Sequence, residues 1–358
     1  MSSSTLPDRL STKVRSIEAM LDHRGVEIRS MKRAGSLETN QGVDSGDRVP
    51  DPLFTLDRLE GEIAPRAVGN IRPNTTGFRY FLDATQKTLP IWRFGLVPII
   101  ITYAVTGILE RDGNGEGRLL PGSLDSRHTW LIPRNTGNSS ADDLIDMLEA
   151  VGESVVDPIA GNPRCRDQDH EAFAGQFNRI VDCAYQMAGD HRADIERIAL
   201  RSWQVNPERQ FPDGWMVVDG RLGDDHPQCV GVVKQLLTQH LHSADAEVLF
   251  DLEPGHRTTS FRLQNPTHDE STSLARTQWY MRFWNADGFD ANHALIRVEA
   301  PHQLGIPEDI DTIAAWIYAE RLPRATNDPR WPTLLYPIHF LERILKRKLA
   351  EMTAGWPS

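Results

Sequence analysis

Cysteine is scarce in this chain and forms no recognisable framework. The three cysteines, Cys165, Cys183 and Cys229, are odd in number, lie far apart and include no C-x-x-C pair. A set of disulfides or a structural zinc site is therefore not expected, because both need closely spaced or paired cysteines. This usage is typical of a reducing compartment, so we expect a cytoplasmic protein.

Long apolar runs and a secretory signal are also missing. The chain starts MSSSTLPDRLSTKVR, which lacks the apolar core of a signal peptide. The most apolar segment, residues 96–109, is interrupted by Pro98 and Gly107 and is shorter than the ~20 residues of a membrane helix. Its β-branched composition favours a buried strand. We therefore expect no membrane partner.

Basic residues are in deficit. The chain has 39 Lys and Arg residues against 50 Asp and Glu residues, a formal net charge of −11. Nonspecific coating of nucleic acid needs an excess of cations, so the balance argues against that class of protein. It does not exclude a nuclease, because metal-binding carboxylates also add negative charge. No segment reads G-x-x-x-x-G-K-[ST], so we expect any DNA motor to be a partner.

The patterning divides the 358 residues into three parts. Residues 1–75 are polar and mixed in charge, residues 76–350 alternate between apolar strands and amphipathic helices, and residues 351–358 form a tail. Strands are predicted at 78–82, 99–109, 128–133, 215–218, 229–234, 258–263, 278–284 and 294–298. Helices are predicted at 141–151, 171–187, 193–203, 310–320 and 336–350. This order predicts an α/β fold with a mixed central sheet flanked by helices, together with helical insertions.

Two predicted strands each end in an aspartate followed by a small residue. These are Asp83 in FLDA (81–84) and Asp219 in VVDG (217–220). Two such carboxylates on neighbouring strands can share a divalent cation, because Mg²⁺ and Mn²⁺ prefer hard oxygen ligands. An Asp-Gly pair also starts turns. The second aspartate in an equivalent position favours the metal interpretation.

A third acid is needed to complete such a site and orient a water. Glu196 lies on the helix just before the Asp219 strand, and Glu171 on the preceding helix is the competing residue. Either acid is also compatible with a solvated helix surface. The sequence of strand-Asp, antiparallel strands, helix-Glu and strand-Asp follows the order found in RNase H-like nucleases. Carboxylates on separate rigid elements can there hold two cations ~4 Å apart for phosphodiester hydrolysis.

The chain further resembles a narrower family, the NurA nucleases, over most of residues 77–349. The segments that carry the resemblance lie in the family's order: FLDAT (81–85), DIER (194–197), VVDGRL (217–222), VGVVK (230–234), IRVEAP (296–301) and YP (336–337). Each segment is short, so the six segments taken together are a more specific signal than any single one of them. The first segment departs from the family's Asp-Gly-Ser but keeps a small residue and a hydroxyl.

This resemblance implies a metal-dependent deoxyribonuclease that acts with a HerA-like hexameric ATPase. Asp83, Glu196 and Asp219 would bind one or two Mn²⁺ or Mg²⁺ ions, and Lys234 would contact a phosphate. The expected reaction is 5′-3′ exonuclease or single-strand endonuclease cleavage, in DNA end processing and repair or in antiviral defence. A homodimer that receives DNA from the ring is the implied assembly, with residues 1–75 as the candidate docking segment.

The fourth ligand is open. The family's last helix usually supplies an Asp or His at a position that is hydrophobic here, near Ile344. His339 or Glu342 can substitute from neighbouring turns, and we assign His339 as the candidate ligand. A structural role for His339 is an equal alternative.

Three further features have ordinary structural interpretations beside the functional ones. Lys234 ends an apolar strand and is also compatible with an ordinary strand-end lysine. Arg297 and Glu299 alternate with apolar residues, which favours a structural salt bridge. The aromatic residues at 279, 280, 283 and 284 can stack on unpaired bases, but aromatic residues in an alternating strand are more often core.

Two other functions remain open. One is a catalytically weak nuclease fold that guides DNA for the ATPase, suggested by the altered first segment and the uncertain fourth ligand. The other is a different RNase H-like enzyme, directed at RNA or at particular nucleic-acid structures.

Overall fold

The computed structural model describes residues 55–72, 75–150, 152–160, 176–207, 209–222, 226–236, 239–264, 276–322 and 330–353. Within these ranges the chain is a mixed α/β structure, with thirteen strands in one sheet and five α-helices. The strands are β1 (Thr55–Arg58), β2 (Pro65–Ala67), β3 (Phe78–Phe94), β4 (Val97–Arg111), β5 (Gly117–Leu119), β6 (Asp125–Leu131), β7 (Val155–Val156), β8 (Trp215–Asp219), β9 (Cys229–Val233), β10 (His256–Thr258), β11 (Phe261–Gln264), β12 (Thr277–Arg282) and β13 (Leu295–Ala300). The helices are α1 (Ser139–Ala150), α2 (Phe177–Val205), α3 (Ala244–Phe250), α4 (Pro307–Glu320) and α5 (Tyr336–Met352).

The sheet is mixed, as the sequence predicted. Its main path runs β1-β11-β12-β13-β9-β8-β3-β4-β6-β7. At the centre, β8 is parallel to both β3 and β9, whereas β4 is antiparallel to both β3 and β6. The central order β6-β4-β3-β8-β9 therefore places β3, the first of these five strands in the chain, in the middle.

Helices cover both faces of this centre. On one face Phe81 of β3 and Val217 of β8 share an apolar cluster with residues of α4 and α5. On the other face Leu82 and Val218 pack with α2. Successive strand side chains point to opposite faces, so the alternation of these residues fixes which side of the sheet each neighbour faces. None of the helices in the described ranges has the length and apolar character needed to span a bilayer.

Strand β3 is much longer than predicted. The sequence predicts that it ends at Asp83, with a linker at 86–93, but β3 continues to Phe94 and pairs with β4 along its whole further length. The extension is possible because the β-branched run of β4 pairs with nearly every residue, and a bulge at residues 90–92, which leaves Ile91 unpaired in the ladder, accommodates Pro90. Asp83 is therefore in the middle of a strand, and the prediction of a strand end there is wrong.

The two helices predicted before β8 form one. Helix α2 runs from Phe177 to Val205 without a break, because the connecting residues 188–192 contain a single glycine, Gly189, and no proline. A lone glycine costs helix stability without ending the helix. Residues 171–175 of the first predicted helix lie outside the described ranges.

The N-terminal 75 residues are described only in part. The predicted docking segment lies mostly in residues 1–54, which are outside the described ranges. Strands β1 and β2, however, pair with β11 and β10. Residues 55–67 thus contribute to the same sheet as the rest of the chain.

Three of the four aromatic residues considered for base stacking belong to the core. Trp279, Tyr280 and Phe283 are buried, and Trp284 is half-buried beneath the guanidinium of Arg321. The interpretation of these residues as core is confirmed.

Candidate active site

Asp83 and Asp219 lie side by side on neighbouring parallel strands. Leu82 of β3 pairs with Val218 of β8, so the two aspartates occupy the next position of the same register. Parallel strands lie about 4.8 Å apart, and residues in register point to the same face. Both carboxylates therefore face the side of the sheet that α4 and α5 cover.

Glu196 lies on helix α2, which covers the opposite face of the sheet, but it is close enough for its charge to interact with those of Asp83 and Asp219. The preceding residue, Ile195, is buried against Ala84 and Ala104, which fixes this turn of the helix against β3 and β4. The Glu196 side chain is 16% exposed, with the Arg192 guanidinium 3.7 Å away. Its Oε1 atom is buried and accepts no hydrogen bond from the described residues.

Lys234 follows β9 and points at Asp219. Val232 pairs with Asp219, so Lys234, two residues further on, lies on the same face of the sheet. The Lys234 ammonium is 2.7 Å from Oδ1 and 2.8 Å from Oδ2 of Asp219. Lys234 therefore forms an ion pair with Asp219 in this structure, and a contact with a phosphate would require it to leave that pair.

Burial is the main electrostatic influence on the acids of the site. Burial raises the pKa of the Asp83 carboxyl well above its ordinary value. The neighbouring Asp219 carboxylate raises it further, whereas Lys234 opposes the shift. Burial also raises the pKa of Glu196 to about 7, opposed by Arg192 and reinforced by Asp219. Negative charge in this position is costly unless a cation offsets it.

Helix α5 brings a fourth acid to the group. Gly107 of β4 lies opposite Asp83, and a Cβ atom there would be 3.1 Å from Leu345 Cδ2. The missing side chain lets α5 lie directly over this part of the sheet. One turn before Leu345, Glu342 is close enough to Asp83 for its charge to raise the Asp83 pKa.

Glu342 and His339 are adjacent on α5, with His339 Nδ1 3.8 Å from Glu342 Oε2. Arg330 and Lys346 hold the Glu342 carboxylate at 2.8 and 2.6 Å. Burial alone would raise the pKa of Glu342, but the hydrogen bonds from these two cations outweigh it and lower the pKa. Among the described residues His339 Nδ1 forms no hydrogen bond. Both fourth-ligand candidates therefore lie on the helix that covers Asp83, and the charge of Glu342 raises the Asp83 pKa.

Arg297 and Glu299 form the structural salt bridge that the sequence favoured. Arg297 Nη2 donates to Glu299 Oε1 at 2.9 Å, and both side chains are buried. Glu299 Oε2 accepts from the Leu222 amide at 3.1 Å and lies 3.4 Å from Arg276. These residues alternate with core residues of β13, which places them on the sheet face opposite Asp83 and Asp219.

The carboxylate oxygens of the site acids suit a hard cation, but in this structure they do not surround a common coordination centre. All the converging acids offer carboxylate oxygens, the ligand type that Mg²⁺ and Mn²⁺ prefer. In the described part of the chain, no three His, Cys, Asp or Glu side chains already converge closely enough to ligate one ion. Binding a cation therefore needs side-chain movement, most directly at the Lys234–Asp219 ion pair.

Sequence reasoning missed the roles of Arg192 and Arg330. Arg192 precedes Glu196 by four residues, the spacing of neighbours on one helix face, so this pair was visible in the sequence. Arg330 contacts Glu342 from outside its helix, which no local spacing indicates. Glu171, the competing acid, lies outside the described ranges.

No family model and no curated protein matches this chain. Among solved structures, the catalytic domain of human endonuclease V is similar, with a TM-score of 0.29 and 12% identity over 98% of this chain and 100% of that chain. Similarity at this level assigns neither a fold family nor an activity.

Proposed function

We propose that this chain is a metal-dependent nuclease of RNase H-like architecture and NurA type that hydrolyses DNA phosphodiester bonds. One observation carries the proposal: Asp83 and Asp219 lie in register on parallel central strands, and burial together with the charges of Asp219 and Glu196 raises the pKa of the Asp83 carboxyl. A bound cation would offset the cost of ionising these buried acids, and cations at carboxylate clusters serve phosphodiester hydrolysis.

The order of the central strands supports the RNase H-like part of the proposal. That architecture has its first strand in the middle, the next two strands antiparallel on one side, and the following strands parallel on the other. The order β6-β4-β3-β8-β9 has this form, with acids on β3 and β8 and on the helix between β6 and β8.

In the proposed site Asp83, Asp219 and Glu196 hold one or two Mn²⁺ or Mg²⁺ ions. The cation supplies Lewis-acid chemistry for hydrolysis of the phosphodiester. Asp83 and Asp219 would hold the cation in a fixed position on the rigid sheet. Glu196 Oε1, which accepts no hydrogen bond from the described residues, would orient the attacking water. Lys234 would leave Asp219 and place its ammonium against a phosphate oxygen. His339 or Glu342 completes the site from α5.

The partner and the biological role are part of the same proposal. The chain would work as a homodimer in the cytoplasm with a HerA-like hexameric ATPase, as a 5′-3′ exonuclease or single-strand endonuclease in DNA end processing or antiviral defence. The motif resemblance supports this assembly. The net charge of −11 also favours a partner that supplies much of the phosphate contact.

A specific observation favours a second candidate, a catalytically weak subunit that guides DNA for the ATPase. Lys234 neutralises Asp219, and among the described side chains no ligand set is already assembled. In this alternative the lysine takes the place of the cation permanently.

A nuclease assay on single- and double-stranded DNA and RNA, with Mn²⁺, Mg²⁺ or EDTA, decides between the two. The proposal expects DNA cleavage that needs the metal and that Asp83→Ala and Asp219→Ala each abolish. Cleavage that survives either substitution would contradict the assigned site. No cleavage under any condition, even with the ATPase added, would favour the guiding subunit.

A further inference from the structure

A row of aromatic side chains continues from Asp83 along the extended hairpin of β3 and β4. Every second residue of a strand faces the same side, so Lys87 shares the face of Asp83. Lys87 pairs with Tyr103 of β4, which in turn pairs with His128 of β6. We call Lys87, Trp92, Tyr103, His128 and Trp130 the aromatic face.

The rings of the aromatic face are arranged in two stacks. Tyr103 and His128 have centroids 5.6 Å apart with an angle of 29°, and Trp92 and Trp130 have centroids 6.3 Å apart with an angle of 13°. The second stack extends the face to the far end of the hairpin. Trp92 is nonetheless 54% exposed, and His128 is also exposed.

Two of the rings are held in orientation by one acid. Glu153 accepts hydrogen bonds from Trp130 Nε1 at 3.0 Å and pairs with His128 Nε2 at 2.7 Å. Their ring planes are thereby fixed before any ligand binds. A stacking ligand consequently loses little free energy to side-chain ordering.

We propose that the aromatic face binds an unpaired nucleic-acid strand and leads it to the carboxylates at Asp83, an inference that rests on the proposed function. The exposed rings of Trp92 and His128 can stack on bases of any sequence, and the Lys87 ammonium would provide a phosphate contact on the same face. Trp92 lies nine residue steps beyond Asp83, a path of roughly 30 Å at ~3.3 Å per residue. That path suits a strand of a few nucleotides, near the lower end of the ~4–16 known for single-strand binding folds. A duplex does not offer its base faces to such rings.

Binding is measured on the full chain in EDTA, so that cleavage does not contribute. The probe is a labelled oligothymidylate of about 12 nucleotides, with an oligouridylate and a DNA duplex beside it, read by fluorescence anisotropy. Trp92→Ala should weaken single-strand binding about tenfold, and Trp92→Phe should restore most of it. Lys87→Gln should lower the slope of log affinity against log salt by about 0.7.

Two controls separate stacking from a structural effect. Leu96 lies at the turn of the same hairpin and is 52% exposed, so Leu96→Ala removes a similarly exposed apolar side chain outside the aromatic face. It should leave the affinity unchanged. Trp92→Leu keeps an apolar cover without a π face and should bind as weakly as Trp92→Ala.

Several results would overturn the inference: no single-strand binding by the wild type, equal binding by Trp92→Ala, or equal rescue by Leu and Phe. A fall in oligomeric mass on sedimentation of Trp92→Ala would instead assign the face to a second copy of the chain. The DNA and RNA probes distinguish the two sources of an unpaired strand. Trp92-dependent binding without Mn²⁺-dependent cleavage would contradict only the proposed function. Cleavage that needs Asp83, together with Trp92-independent binding, would contradict only this inference.

Discussion

Two groups of charged residues around this sheet differ in whether the folded chain favours the charged form of their carboxyl groups. In the first, Arg111 donates to both oxygens of Glu320, at 2.8 and 2.6 Å, and also to Thr76 and the Phe78 carbonyl. In the second, burial raises the pKa of Asp83 and of Glu196, although Lys234 pairs with Asp219 and Arg192 lies 3.7 Å from Glu196. The Glu320 carboxylate is satisfied on both oxygens within the chain, whereas the charged forms of Asp83 and Glu196 are disfavoured.

A structural ion pair can be distinguished from a candidate ligand-binding site by whether the folded chain itself satisfies the buried carboxylate. A bidentate arginine satisfies a buried carboxylate in the folded chain, so its role is fulfilled without a ligand. Buried acids with raised pKa values carry a cost that a bound cation would offset. By the same criterion, Arg297 and Glu299 form a structural salt bridge rather than part of a ligand site.

The largest expected effect is on the free energy of unfolding, which substitutions in the two groups should change in opposite directions. Arg111→Met should lower the free energy of unfolding by about 3–5 kcal/mol, because it leaves the Glu320 carboxylate buried and unpaired. Asp83→Asn should raise the stability of the metal-free protein at alkaline pH by about 1 kcal/mol, since it removes one of the repelling charges. Urea unfolding in EDTA measures both.

Arg197→Met is the matched control, because Arg197 pairs with Asp194 on the exposed surface of α2. Its loss should cost less than about 1 kcal/mol. The comparison fails if Asp83→Asn is as destabilising as Arg111→Met.

The next effect is a pH dependence caused by Glu196. Its pKa rises from 4.5 to about 7 on folding, so the fold favours the protonated form. The stabilising contribution is therefore complete below pH 4.5 and is lost as the pH rises through about 7. Relative to Glu196→Gln, the metal-free wild type should lose up to about 3 kcal/mol between acidic and alkaline conditions. Unfolding curves of both proteins across this range test the sign, and a parallel pH dependence would show that Glu196 is not held in this way.

The smallest effect distinguishes the two candidates on α5. Because the charge of Glu342 reaches Asp83, Glu342→Gln should weaken Mn²⁺ binding about tenfold, whereas His339→Gln should leave it unchanged. Calorimetric titration of both variants gives the affinities. The opposite ranking would make His339 the fourth ligand.

The fold centre was predictable because its signals are local. The apolar runs that end in Asp83 and Asp219 lie on two neighbouring parallel strands, and the helix before β8 carries Glu196 with its apolar neighbours facing the sheet. The spacing of apolar residues in these segments follows which side chains are buried, so it can be read directly from the sequence.

The continuation of β3 was not predictable in the same way. Residues 86–93 contain Pro90 and several polar side chains, which are typical of a linker, and they form a strand only because β4 pairs with them. The aromatic face depends on that pairing, so Trp92 gave no signal of its own. The approach of Glu342 to Asp83 likewise depends on Gly107, a tertiary contact that no local pattern contains.

Calorimetric titration of Mn²⁺ into the wild-type chain and Asp83→Asn at neutral pH shows whether these acids hold a metal ion. We expect saturable binding by the wild type, with proton release because Glu196 and Asp83 favour their protonated forms, and loss of that binding in the variant. Absence of Mn²⁺ binding by the wild type, or undiminished binding by Asp83→Asn, would contradict this expectation.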